Sequence, residues 1–293
     1  MLPRLAPMAR ALRGEVARRI AVARLRVRQS RRHPMPPAPS RRPQPPPGGV
    51  APIEESRARM IEFGHSTHVG LRREHNEDTY HADADLGLWL VADGMGGHEH
   101  GEVASALARD TLVREVGRGV ELVRAIQLAD EEIIRHSTRR SEALPMGTTI
   151  AALRLSPGGG FEVAWVGDSR IYLWHEGLRQ LSQDHSYVQE LIDQGAITSE
   201  QARSHPHRNV VTQALGVTDP QSLRVESLRG QFSPGMQLLL CSDGLTEEVK
   251  DSAIAAIVAR TDLSAQECVE HLILAALEGG GSDNVTAILV RAR

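Results

Sequence analysis

Hydrophobic positions in this chain fall into short continuous runs and longer periodic blocks. Leu88-Trp89-Leu90-Val91-Ala92 is an unbroken apolar run closed by Asp93-Gly94, which predicts a buried strand ending in a turn. Met236 to Cys241 repeats the pattern and ends at Ser242-Asp243-Gly244. Thr148–Leu155, Phe161–Val166, Ile171–Trp174 and Asn284–Val290 read as further strands, and Asp78 adjoins an expected edge strand. Gly167-Asp168-Ser169-Arg170 is read as the turn of a hairpin joining two of them. Helical spacing marks Glu102–Val116, with Val103, Leu107, Leu112 and Val116 on one face, and Val120–Ser137, with Val123, Ile126, Ile133 and Ile134. Ser252–Arg260 and Ala265–Glu278 show the same period, and a polar, partly helical stretch runs to Asn209. Strands arrive in groups separated by paired helices, without strict alternation. That order predicts an α+β fold of antiparallel sheets with helices layered outside.

Charge divides the chain in two. The whole carries a net charge of -3, but residues 1–52 hold twelve Arg and one acid, Glu15, leaving about 240 residues with a net of -14. Eleven of the sixteen prolines also lie in this first segment. A stretch so rich in Arg and Pro buries too little apolar surface to offset its ordering entropy, so residues 1–52 are expected to be a disordered extension. Met8 to Gln29 has no proline and admits a basic helix, for a membrane surface or an acidic partner. Residues 53–293 are expected to form one catalytic domain, near the upper size for a single core. Its acidity argues against nucleic-acid binding. No apolar run approaches the ~18 residues of a membrane span, and no secretory signal pattern is evident. A cytoplasmic monomer is expected. Cys241 and Cys268 are too few for a disulfide framework and read as small core residues.

The candidate chemistry lies where the acids fall. Asp93 and Asp243 each follow an apolar strand, Asp283 precedes one, Asp78 adjoins one and Asp168 sits in a turn. Any one is an ordinary turn residue. Together, at the ends of buried strands, they would converge on one rim and repel unless a divalent cation neutralised them. Oxygen-only ligation points to Mg²⁺ or Mn²⁺. Zinc is disfavoured, because His98-Glu99-His100 places its imidazoles at i, i+2, and His65, His68, His75 and His81 read as solvated.

These residues also sit in a series of motifs. Arg73-Glu74-His75-Asn76-Glu77-Asp78, Val91-Ala92-Asp93-Gly94-Met95-Gly96-Gly97-His98, Gly101-Glu102-Val103-Ala104-Ser105, Met146-Gly147-Thr148-Thr149, Val166-Gly167-Asp168-Ser169-Arg170, Ser242-Asp243-Gly244-Leu245 and Gly281-Ser282-Asp283-Asn284 follow in that order. From about Met60 onward the chain resembles the bacterial branch of the metal-dependent protein phosphatases, the protein phosphatase 2C family. The resemblance implies a four-layer α-β-β-α sandwich with a two-metal site at one edge. It assigns Asp93, Asp243 and Asp283 to the first metal and Asp93 with the Gly94 carbonyl to the second. Glu77 and Asp78 are implied to hold metal-bound waters, and Asp168 with Asp243 a third, weaker metal. Arg73 matches the phosphate-contacting arginine. The segment from Gln180 to Gly216 resembles the bacterial flap beside the active site. Met95 stands where eukaryotic members carry a His, and His68 where many relatives carry Asp.

The implied activity is hydrolysis of phosphoserine and phosphothreonine on proteins by a metal-activated water, with phosphorylated proteins and a cognate Ser/Thr kinase as partners. Some compact relatives accompany type VI secretion kinases. Two other roles share the fold: a phosphatase of a sigma-factor regulator, and a catalytically inactive phosphoprotein-binding module. The full set of carboxylates argues against the latter.

Overall fold

The computed structural model describes residues 61–96, 100–138 and 146–293. The Arg/Pro-rich segment 1–52, Met60 and the motif residues Gly97 and His98 lie outside the described residues.

The continuous apolar runs become strands buried on both faces. One sheet has the order β1 (Ile61–His68), β11 (Val285–Ala292), β10 (Gln237–Cys241), β7 (Arg170–Trp174) and β8 (Leu178–Gln180). The other runs β2 (Asp78–Asp83), β3 (Leu88–Met95), β5 (Ile150–Leu155), β6 (Gly160–Val166) and β9 (Glu226–Gln231), with β4 (Gly147–Thr148) paired to the end of β3. Every neighbouring pair is antiparallel.

The two-residue period of a strand sorts its side chains between layers. In β3, Leu88, Leu90 and Ala92 pack on α1 (His100–Gly117) and α2 (Leu122–Thr138), while Trp89 and Val91 enter the space between the sheets. In β10, Leu238 and Leu240 face that same inter-sheet core. Leu239 and Cys241 face the outer layer, which holds α6 (Asp251–Val258) and α7 (Ala265–Gly279). The result is the four-layer sandwich, with helices outside two antiparallel sheets. Ser264 and Glu267 form a capping box at the start of α7.

Two local expectations are corrected, and one strand comes unannounced. The hairpin expected at Gly167-Asp168-Ser169-Arg170 does not form: β6 pairs with β5 and β9, and β7 with β10 and β8. Gly167, at φ +104°, instead lets the chain leave one sheet and enter the other. Val163 and Trp165 of β6 thus meet Ile171 and Leu173 of β7 across the core rather than side by side. The true hairpin is β7–β8, which turns through Glu176 (φ +62°) and Gly177. Strand β9, Glu-Ser-Leu-Arg-Gly-Gln, is exposed along its length and carries no apolar alternation to announce it. Ser242-Asp243-Gly244 is no simple turn, because Asp243 opens a short helix, α5 (Asp243–Thr246). Among the described residues, no helix is long and apolar enough to cross a membrane.

Candidate metal centre and active site

Antiparallel pairing brings the predicted acids to one end of the sandwich. Asp78, first residue of β2, lies directly opposite Asp93 near the end of β3. In the other sheet, β10 runs into Ser242-Asp243 beside the start of β11, just after Asp283-Asn284. The two rims are tied together by Asp78, whose Oδ2 accepts hydrogen bonds from Ser242 Oγ (2.8 Å) and Thr286 Oγ1 (2.7 Å). Asp168 lies on the crossing between the sheets.

The motif residues around the acids clamp the backbone. The Asp93 carbonyl accepts from the Thr149 amide (2.9 Å) and the Thr148 hydroxyl (2.9 Å), and its amide donates to Thr149 Oγ1 (3.1 Å). Thr149 Oγ1 is in turn 2.7 Å from Ser169 Oγ, beside Asp168. Glu77 is held by its amide, which donates to Asn284 Oδ1 (2.8 Å), and by its carbonyl, which accepts from Ser105 Oγ (2.7 Å) and Gly94 N (3.1 Å). Asn284 also donates to the carbonyls of Val69 and His75, both at 2.9 Å, pinning the loop before β2. Gly94 must be glycine: a Cβ there would stand 2.1 Å from the Gly101 carbonyl oxygen and 2.7 Å from that of Glu77.

Burial and mutual repulsion set the electrostatics. Asp93 and Asp168 are driven well above the ordinary carboxylate range, first by burial and then by Asp243, with Asp78 and Asp283 also acting on Asp93. Asp78 is pushed to about 7 by burial and by Asp243 and Asp283, although its two hydroxyl donors oppose the rise. Asp243 is raised to about 6 by burial and by Asp283. All five acids therefore belong to one electrostatic unit. Arg73 Nη2 contacts Asp283 Oδ2 at 2.5 Å. Burial works against the Arg73 charge, but Asp283, Glu77 and Asp243 outweigh it and raise its pKa.

Divalent cations fit this donor set. Asp78 Oδ1 and Asp243 Oδ1 are buried without a hydrogen-bond partner, which leaves two anionic oxygens uncompensated by protein. Among the described residues, no three Asp, Glu, His or Cys side chains are closed up as a ready ligand set. The reason is local: Asp283 is drawn to Arg73, and Asp78 Oδ2 is engaged by two hydroxyls.

Other expectations shift here. His65 and His81 are strand residues, partly buried, and the His65 ring lies 4.8 Å from that of Tyr80. Burial lowers the His81 pKa. Both line a groove of about 410 Å³ along the open edges of β1 and β2, which reaches Asp78. His68 Nδ1 accepts from the Gly70 amide at 2.9 Å, the short-range acceptor role that an Asp can also fill. Cys241 and Cys268 are buried, and burial pushes the Cys241 thiol up to about 12, so it is no nucleophile. The segment from Gln180 to Gly216 holds α3 (Tyr187–Asp193) and α4 (Ser199–Arg203). It is fastened to the Asp168 turn, since His185 N donates to Gly167 O (2.9 Å) and Gly167 N to His185 Nδ1 (3.1 Å). Residues that pattern reading missed are Ser242, Thr286 and Glu247. Glu247 lies one helical turn after Asp243, and burial with the Asp243 charge raises it to about 8. Its spacing of four from Asp243 was the one available signal.

Residues 69–277 match the protein phosphatase 2C family. The chain is 38% identical over 238 residues to the serine/threonine protein phosphatase PstP of Mycobacterium tuberculosis, a match covering 78% of this chain and 45% of that protein. It thus spans about half the length of the mycobacterial relatives. With the serine/threonine phosphatase stp of Listeria monocytogenes it shares 36% identity, over 76% of this chain and 93% of the relative. Among solved structures, the catalytic domain of PstP in complex with two manganese ions superposes with a TM-score of 0.71 at 32% identity, covering 79% of this chain and 97% of that one. PppA, a key regulatory component of the type VI secretion system in Pseudomonas aeruginosa, gives 0.68 at 34% identity, covering 80% and 98%.

Proposed function

Because the chain belongs to the protein phosphatase 2C family, we propose that it hydrolyses phosphoserine and phosphothreonine on proteins, using divalent cations held by the carboxylates of the rim. The observation that carries this reading is the convergence of five acids from both sheets, with Asp78, Asp93, Asp168 and Asp243 all raised and two of these left with buried, unpartnered oxygens. Asp93, Asp243 and Asp283 would hold one Mn²⁺ or Mg²⁺, Asp93 and the Gly94 carbonyl a second, and Asp168 with Asp243 a third, weaker one. Such ions supply Lewis acidity and bring the ionisation of water from pKa 15.7 to about 7.

The protein's own groups do the rest. Arg73 presents a planar fork suited to two phosphate oxygens and lies beside Asp283, so it would orient the phosphoryl group at the rim. Glu77 and Asp78 would hold and orient water. The hydroxyl and amide clamps on the main chain of Asp93 and Glu77 fix the backbone that carries both carboxylates. Neither cysteine serves as nucleophile, which favours direct attack by water.

Phosphoproteins and an opposing Ser/Thr kinase are the partners this reading implies, in the cytoplasm. The likeness to PppA supports a type VI secretion setting. The test is hydrolysis of p-nitrophenyl phosphate and a phosphothreonine peptide with Mn²⁺ and with chelator. Turnover should require metal and vanish in Asp243→Asn. Full activity in chelator, or in that variant, refutes the reading, whereas metal binding without turnover would favour the inactive binding module.

A further inference from the structure

Asp78 is closed into a ring of hydrogen bonds. Its amide donates to Asn76 Oδ1 (3.1 Å), and Asn76 Nδ2 donates to Thr67 Oγ1 (2.8 Å). Thr67 Oγ1 lies 2.8 Å from Thr286 Oγ1, and Thr286 Oγ1 donates to Asp78 Oδ2 (2.7 Å). A hydroxyl has one proton. Thr286 gives its proton to the carboxylate, so Thr67 must donate to Thr286 and accept from Asn76. The side-chain bonds therefore run in one direction and end on Asp78, an arrangement in which each polarises the next.

Ser242 adds a second donor to the same oxygen and accepts the Thr286 amide proton (2.9 Å). Ser242 stands at the N-cap of α5, where a serine side chain ordinarily accepts from the helix amides, yet it makes no cap bond. A local preference is given up and its hydroxyl is turned to Asp78 instead. Both donors meet Oδ2. Oδ1 is buried and receives none.

We propose that Ser242 and Thr286, with Thr67 and Asn76 behind them, are positioning residues that fix the rotamer of Asp78 and saturate Oδ2. Oδ1 is thereby left as the single acceptor presented to the cation site. The role rests on the proposed phosphatase chemistry, but it concerns metal binding and can be measured without substrate. Ser242 and Thr286 are fully buried, whereas Thr67 is exposed to solvent. The far end of the chain can therefore be cut at little structural cost.

The experiment compares Mn²⁺ affinity, by isothermal titration or by the electron paramagnetic resonance of free Mn²⁺, among wild type, Thr286→Val, Thr286→Ser and Thr67→Val in otherwise full-length protein. Loss of an outer partner of a metal site typically weakens binding by about 10–100-fold. Thr286→Val should weaken Mn²⁺ by about tenfold, and Thr286→Ser, which keeps the hydroxyl, should stay within about threefold of wild type. Thr67→Val, which removes only the distal donor, should weaken it about threefold with its melting temperature unchanged. A merely structural role would lower melting temperatures and leave Mn²⁺ affinity alone. Wild-type affinity in a folded Thr286→Val, or equal losses in the Val and Ser variants, overturns the proposal. If Thr286→Val does not fold, unaltered affinity in Thr67→Val overturns it. A wild-type protein that binds Mn²⁺ but hydrolyses nothing refutes the phosphatase reading and leaves the ring's role to the affinities.

Discussion

Replacing Asp243 by Asn should stabilise the metal-free protein while abolishing turnover. Asp243 is largely buried among like charges and holds its proton up to about pH 6, against 3.8 for an ordinary aspartate. A carboxyl raised in the folded state binds more protons there than in the unfolded chain. Stability is therefore full below pH 3.8 and is lost as pH climbs through 6, a loss that Asp78 prolongs to about 7. At 1.36 kcal/mol per pH unit, the rise from 3.8 to about 6 corresponds to roughly 3 kcal/mol for Asp243 at neutral pH. An asparagine keeps the shape and removes the charge. For a domain of this size 1 kcal/mol moves Tm by about 2–4 °C, so at pH 8 metal-free Asp243→Asn should melt roughly 6–12 °C above wild type. The assay is a thermal melt in chelator from pH 4 to 8, then with Mn²⁺. At pH 4 the two proteins should coincide. Added Mn²⁺ should raise the wild type much more than the variant, because the cation binds the folded carboxylates. A variant that melts at or below wild type at pH 8, or a gap that does not change with pH, would refute the repulsion argument.

Gly94→Ala forces a methyl to within 2.1 Å of the Gly101 carbonyl oxygen and parts the turn that sets Asp93 against Glu77. Overpacking of this kind costs about 1–3 kcal/mol, and a shift of about 1 Å in the rim should lower metal-dependent kcat about 100-fold, measured with p-nitrophenyl phosphate. Cys241→Ala should do the opposite. Its thiol is buried and held up at about 12, so turnover should stay within about twofold and native alkylation should leave activity intact.

Much of the fold was legible because strands buried on both faces leave uninterrupted apolar runs. Leu88–Ala92 and Met236–Cys241 could hardly be anything else, and the spacing of Val123, Ile126 and Ile133 marked α2 as plainly. The candidate site was legible for a related reason. An acid at the end of such a run sits at a sheet's rim whatever the topology, so Asp93, Asp243 and Asp283 announced themselves by position alone. Strand β9 was not legible, since its residues are exposed and only its backbone pairs with β6.

Tertiary structure decided which rims meet and which oxygens remain bare. Gly167-Asp168-Ser169-Arg170 reads locally as a hairpin, but competition among partners for β6 and β7 turns it into the crossing that carries Asp168. Ser242 reads as the residue that closes a buried strand, and Thr67, Asn76 and Thr286 as ordinary polar residues. Their ring spans more than 200 positions and exists only because β1 and β11 pair beside β2. Composition and periodicity are local sums along the chain and determine which segments are buried. Hydrogen bonding across sheets depends on register and rotamer, which the chain acquires only when its layers pack.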